Sequence, residues 1–268
     1  MSSSSHLYLS PLTFKQYKNA VKEGRNMKKT ILSITLLLFS ILILLAYGGD
    51  FRDENNNVNY ENEKDRNTAF KVVIDPGHGG TDGGATGASG QYEKDFALGV
   101  SKKVEKLLEQ EPGIQVFMTR TDDSFISSES RYRPRYANEL NADLFLSIHG
   151  NTVTDPDVTG TETYFYHKNS RRLAKIIQKH VVEATGYRDR GIKEQNLFVV
   201  KDTEMPAALI EVGYLTNPHD EFQMWTDDFQ DNVATSIVEG IKEYKEDSKK
   251  TRYFSMNLLG SLSKNNPE

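Results

Sequence analysis

An α/β fold, a single domain with a twisted, mostly parallel sheet flanked by helices, is predicted for residues 68–247 by two observations. Short runs rich in Val, Ile, Leu and Phe alternate along the chain with stretches whose apolar residues recur every three or four positions. Several of the short runs, KVVID at 71–75 and DLFLSI at 143–148 among them, are continuously apolar in their middles, the pattern of strands covered on both faces.

The first strand is 71–75. Phe96, Ala97, Val100, Val104, Leu107 and Leu108 then mark one face of a helix over 92–110, which Pro112 and Gly113 stop. IQVFMT at 114–119 is the second strand. A shorter helix opens near Pro134, a residue tolerated in a first turn, and runs to Leu140. DLFLSI and ETYFY (162–166) are strands, and Leu173, Ala174, Ile177, Val181 and Ala184 outline the next helix. NLFVV at 196–200 and AALIEV at 207–212 are expected to be two further strands, and a helix over 229–244 closes the domain.

The 268 residues, 37% of them apolar, support one domain plus appendages. Residues 31–47, ILSITLLLFSILILLAY, form an uncharged run of 17 behind a leader, 1–30, with six basic residues and one acidic. By length and flanking charge this is a transmembrane anchor with the leader in the cytoplasm and the rest outside. Cleavage near Gly48 and secretion is the alternative, because Ala46-Tyr47-Gly48 supplies small residues at a suitable place. Met27 is a second candidate initiator, since Lys22-Glu23-Gly24-Arg25 back-translates to purine-rich codons; residues 1–26 would then not be translated. Residues 48–67 read as a disordered linker too polar to offset chain entropy, and 248–268 as a polar tail. A formal charge of -5 gives no reason to expect nucleic acid, and nothing marks an obligate protein partner. Without cysteine, any metal must rely on histidine and carboxylate.

Four side chains stand out against this map. His78 comes three residues after the first strand, His149 ends the third, and Glu211 lies at the end of the last. All three fall at carboxyl edges, where neighbouring loops of a parallel sheet diverge and leave a crevice. Glu93 stands one turn before Phe96 and Ala97, on the inward stripe of its helix, where a carboxylate needs a partner. Two imidazoles and a carboxylate can hold a metal ion and a second carboxylate can serve as base, the minimum equipment of a zinc hydrolase. The glycine-dense loop around His78, DPGHGGTDGGATG, could also cradle phosphate, but neither the dinucleotide spacing nor the P-loop lysine occurs. A helical pair of histidines four apart is absent too, so ligands are gathered from distant segments.

VVIDPGHGGTDGGA, the YEKD around Glu93, MTRTDD, ANELNADLFLSIHGN and PAALIEVGYLTNP occur in that order. Over residues 71–246 the chain resembles the zinc-dependent N-acetylmuramoyl-L-alanine amidases of the type-3 catalytic class, bacterial enzymes that cut cell-wall peptidoglycan. The resemblance implies one Zn2+ per domain held by His78, Glu93 and His149, with Glu211 as the catalytic glutamate. It implies peptidoglycan as substrate and hydrolysis of the amide between N-acetylmuramic acid and L-alanine. An anchor with one catalytic domain and no binding repeats is similar to the sporulation and germination members. Two rival readings are a different zinc peptidase or amidase acting on wall peptides, and a non-catalytic, anchored wall-binding module. A base in addition to three ligands weighs against the second.

Asn151 is placed either to hydrogen-bond substrate or to brace its loop. Arg120 and Arg133 fall where the family usually has arginine and read mainly as ion-pair partners near the site, with substrate contact as the alternative. Asp75 is either support for a ligand or a turn-former ahead of Pro76-Gly77.

Overall fold

The computed structural model describes residues 69–264, with side chains described through residue 250. The leader, the apolar run 31–47 and the linker 48–67 lie outside the described residues. Among the described residues no helix is long and apolar enough to cross a membrane.

The elements in chain order are β1 (Phe70–Pro76), α1 (Glu93–Leu108), β2 (Ile114–Met118), α2 (Tyr132–Glu139), β3 (Leu144–Asn151), β4 (Thr161–Phe165), α3 (Arg171–Thr185), β5 (Asp189–Glu194), α4 (Phe198–Lys201), β6 (Ala207–Tyr214), α5 (Pro218–Met224) and α6 (Asp227–Lys264). The six strands form one sheet in the order β2-β1-β3-β6-β4-β5. Four of the five pairings are parallel, and β4 runs antiparallel to β6.

Alternation along the strands sorts the core into two layers. Val72 and Ile74, Leu144, Leu146 and Ile148, and Ala208, Ile210 and Val212 face one way, onto Phe96, Val100 and Val104 of α1, Leu173 and Ile177 of α3 and Val233 and Ile237 of α6. Val73, Phe145, Ala207 and Leu209 face the other way, onto Ala137 of α2 and Val199 and Val200 of α4. Each Val, Leu, Ile or Phe among them stabilises the fold by roughly 1.5–3 kcal/mol on full burial. The second layer is short. Toward the carboxyl edge of β1, β3 and β6 the same period of two replaces its apolar residues by Asp75, by Ser147 and His149, and by Glu211. The sheet therefore presents polar groups where α2 and α4 no longer cover it.

One strand is corrected. Residues 196–200 do not form a strand; α4 occupies Phe198–Lys201, and its Val199 and Val200 fill the second layer as a helical turn. β-Branched residues favour strands because of packing, and here the packing partner is a sheet face, not an edge. The strand is instead β5, DRGIKE, whose polar composition suits an edge paired on one side only, with β4. The closing helix, expected to end at 244, continues in its backbone to Lys264.

Candidate metal centre

β1 delivers the first histidine through a turn that the backbone resists. His78 has a left-handed φ of 57°, which costs a non-glycine residue energy and persists only where neighbours enforce it. Two buried arginines supply that enforcement. Arg120 Nε and Nη2 donate to the carbonyls of Pro76 (3.1 Å) and Gly77 (2.6 Å), and Nη2 and Nη1 also reach Lys94 and Asp122 carbonyls at 2.9 Å. Arg133 donates to the carbonyls of Pro76 and His78, both at 2.6 Å, and pairs with Asp75 Oδ1 at 2.6 Å. Asp75, fully buried, takes further hydrogen bonds from Thr119 Oγ1 (2.5 Å) and Ser147 Oγ (2.6 Å). The two guanidinium groups thus clamp carbonyls 76–78, and Asp75 anchors one of them. Substituting Arg133→Met would strand the Asp75 carboxylate without its cation; a loss of about 3–5 kcal/mol is expected, read from denaturant unfolding of the metal-free protein.

Glu93 opens α1, and its carboxylate lies between the two imidazoles. Oε1 is 2.7 Å from His149 Nδ1 and Oε2 is 3.2 Å from His78 Nε2. The backbone N–H groups of Ala85 (2.8 Å) and Gly150 (3.3 Å) hold the same oxygens. Ligand atoms of His78, Glu93 and His149 all lie within 4.8 Å of one another. Each imidazole is oriented from behind. Asp82 Oδ1 sits 2.9 Å from His78 Nδ1, leaving Nε2 toward the centre. His149 Nε2 lies 3.1 Å from Ser147 Oγ, whose own proton goes to Asp75, so the ring donates there and leaves Nδ1 toward the centre. Close approach requires glycine at two points. A Cβ on Gly77 would lie within 2.6 Å of three His149 ring atoms, and one on Gly84, at φ 67°, would lie 2.6 Å from Glu93 Oε2.

The electrostatics suit a cation. Burial alone would raise the Glu93 carboxyl, but the hydrogen bonds and charges of His149 and His78 outweigh it and hold the group well below the ordinary carboxylate range. Burial would lower His78, and Glu93 and Asp82 overcome it to raise the ring above its usual value. An ionised carboxylate flanked by two oriented imidazoles is a donor set that fits zinc or a similar divalent ion.

Glu211 stands beside this cluster, its Cα directly paired with that of His149 across β3 and β6. The residue as a whole is partly exposed, but Oε2 is enclosed and accepts no hydrogen bond among the described residues. Burial, and then the charges of Glu93 and Glu162, push its carboxyl well above the ordinary range. A raised carboxyl with one enclosed, unpartnered oxygen has the chemistry that a proton acceptor requires. Asn151 follows a register shift in β3; its Nδ2 donates to Glu162 Oε1 at 2.6 Å and its Oδ1 accepts from Thr152 N at 2.8 Å. Asp82 and Ser147 were not singled out from the sequence. The signal for Asp82 was a carboxylate four residues after His78; Ser147, two before His149, is a polar residue on the inward face of an otherwise apolar strand.

Known proteins resemble this chain in sequence and in fold. The family model described as N-acetylmuramoyl-L-alanine amidase (Amidase_3) matches residues 72–243. YqiI of Bacillus subtilis (strain 168) is 42% identical over 177 residues, 65% of this chain and 84% of that protein. The probable cell wall amidase LytH of Staphylococcus aureus is 34% identical over 195 residues, 71% of this chain and 64% of LytH. Among solved structures, the catalytic domain of the N-acetylmuramoyl-L-alanine amidase CwlV from Bacillus (Paenibacillus) polymyxa var. colistinus superposes with a TM-score of 0.64 at 44% identity, covering 66% of this chain and 98% of that one. With a family model spanning most of its length and its blocks in order on the matching fold, the chain belongs to the N-acetylmuramoyl-L-alanine amidase family.

Proposed function

We propose that this protein is a zinc-dependent hydrolase of bacterial peptidoglycan that cleaves the amide between the lactyl group of N-acetylmuramic acid and L-alanine of the stem peptide. The observation that carries the reading is the convergence of His78, Glu93 and His149 with Glu211 alongside, its Oε2 unpartnered among the described residues. Family membership and the names of LytH and CwlV support the substrate class.

His78 Nε2, His149 Nδ1 and the Glu93 carboxylate would hold the ion. When bound, zinc would supply Lewis-acid activation of a water molecule and of the scissile carbonyl. Glu211 takes the proton from the attacking water and returns it to the departing amine of L-alanine, so that the amine leaves neutral. Asp82 and the Ser147–Asp75 pair keep the ring nitrogens in the tautomers that face the centre. The proposal extends to location: residues 31–47 anchor the chain in the membrane with the catalytic domain outside, or are removed near Gly48 on secretion.

Purified protein is expected to contain one zinc per chain by atomic emission, to lose activity on chelation and to regain it when zinc is returned. Mass spectrometry of digested wall is expected to show stem peptides with new L-alanine amino termini and intact glycan strands. Cleavage within the stem or cross-link would favour a different peptidase, and binding to wall without bond cleavage would make the domain a binding module.

A further inference from the structure

A second carboxylate stands next to Glu211 and has no part in the reaction as described. Glu162 of β4 pairs directly with Glu211 of β6, which in turn pairs with His149 of β3. The three side chains therefore form a row across adjacent strands, on the face that carries Asp75 and Ser147. The two glutamates differ in their partners. Glu162, 2% exposed, accepts at Oε1 from Asn151 Nδ2 (2.6 Å), Tyr164 Oη (2.6 Å) and Tyr214 Oη (3.2 Å). Its Oε2 is ion-paired with Lys193 Nζ and lies 3.5 Å from Arg190 Nε, both from β5. A carboxylate has about four acceptor positions, so this one is saturated. Burial would raise it, but the hydrogen bonds from Lys193 and Tyr164, with the lysine charge, outweigh that and keep it ionised. The tyrosines stay protonated as donors, since burial and the Glu162 charge raise both, Tyr214 to about 12. Glu211 Oε2, one strand away, is enclosed and accepts nothing among the described residues.

We propose that Glu162 is a positioning residue for the reaction: by holding Lys193, Arg190 and the nearby donors on itself, it keeps Glu211 Oε2 without a cation or hydrogen-bond partner among the described residues. This rests on the reading of Glu211 as the base. An ammonium or guanidinium beside a carboxylate stabilises its ionised form and weakens it as a base. Lys193 on β5 lies two strands from Glu211 on β6, about 9.6 Å at roughly 4.8 Å per strand, a gap that the lysine stem and the glutamate side chain span together once the present partner of Lys193 is gone. With Glu162 neutral, the next carboxylate in the row is Glu211. Each cation also lies over a ring, Arg190 5.2 Å from Tyr214 and Lys193 5.9 Å from Tyr164, but Arg190 donates in addition to the Thr159 carbonyl at 3.4 Å, so Lys193 is the group less firmly held.

The test uses the full-length, zinc-loaded protein and a soluble muramyl-peptide substrate, with zinc content and thermal midpoint measured alongside. Glu162→Gln is expected to lower kcat about tenfold, the effect of one unit of base strength, with KM and zinc content unchanged. Adding Lys193→Met is expected to restore kcat to within about threefold of the parent, because no ammonium remains to occupy Glu211. Parental kcat in Glu162→Gln, or a loss that Lys193→Met does not repair, overturns the proposal and makes Glu162 a structural ion-pair partner. If Glu162→Gln does not fold, the double variant is read alone against the parent. Retained kcat then supports the proposal, and a loss beyond about tenfold with zinc retained overturns it. Activity surviving in Glu211→Gln would instead remove the base itself, a separate failure.

Discussion

Replacing Glu211 by glutamine is expected to reduce turnover by roughly 10²–10⁴-fold, the usual contribution of a general acid/base, while zinc content stays at the parental level. The amide keeps the shape of the side chain and removes only its capacity to take a proton. Because Glu211 lies beside the His78, Glu93 and His149 cluster and belongs to another strand, metal affinity serves as an internal control. The same variant is expected to be more stable without metal. Burial has raised the Glu211 carboxyl in the folded protein, so its contribution is fully present below the unfolded value and is lost as pH rises through the folded one. Relief of an enclosed, partnerless oxygen amounts to about 1–3 kcal/mol, and the gain over the parent should grow as pH rises above the ordinary carboxylate range. Denaturant midpoints of the metal-free parent and variant, compared at acid and neutral pH, check this. An equal loss of zinc and activity, or unchanged turnover, would deny Glu211 the role of base.

The second large effect belongs to a residue without a side chain. Gly77→Ala places a methyl carbon within 2.6 Å of Cε1, Nε2 and Nδ1 of His149, closer than real Cβ atoms come. The backbone there cannot yield easily, since the Pro76, Gly77 and His78 carbonyls are all held by guanidinium groups. The imidazole must move instead, and with it the ligand nitrogen and its hydrogen bond to Ser147. Mispositioning a ligand through its support commonly weakens metal affinity by roughly 10–100-fold, and zinc titration calorimetry should find a loss of at least that size. A variant that binds zinc as the parent does would show that the ring is free to adjust.

Much of the site could be read from the chain because the carboxyl edge of a parallel sheet obeys simple rules. Strand ends locate His78, His149 and Glu211, and helical period turns Glu93 inward. Glu162 was not legible, because its place beside Glu211 depends on β4 running against β6, and no pattern in TETYF records direction. The exchange of a strand at 196–200 for β5 has a related cause: Val199 and Val200 carry strand propensity, yet the vacancy they fill belongs to a helix turn on a sheet face. The arginines were recognised as near the site, but that they grip main-chain carbonyls could not be inferred from spacing.

That grip bears on how the proposed metal centre would tolerate loss of its ion. Small zinc domains collapse when stripped, because the ion itself is what gathers their loops. Here the strained turn at His78 is fastened by Arg120 and Arg133 to the body of the sheet, so the mould persists when empty. On the proposed zinc reading, chelation is expected to silence the protein without melting it, and activity would follow the supply of zinc, rising and falling with no refolding between.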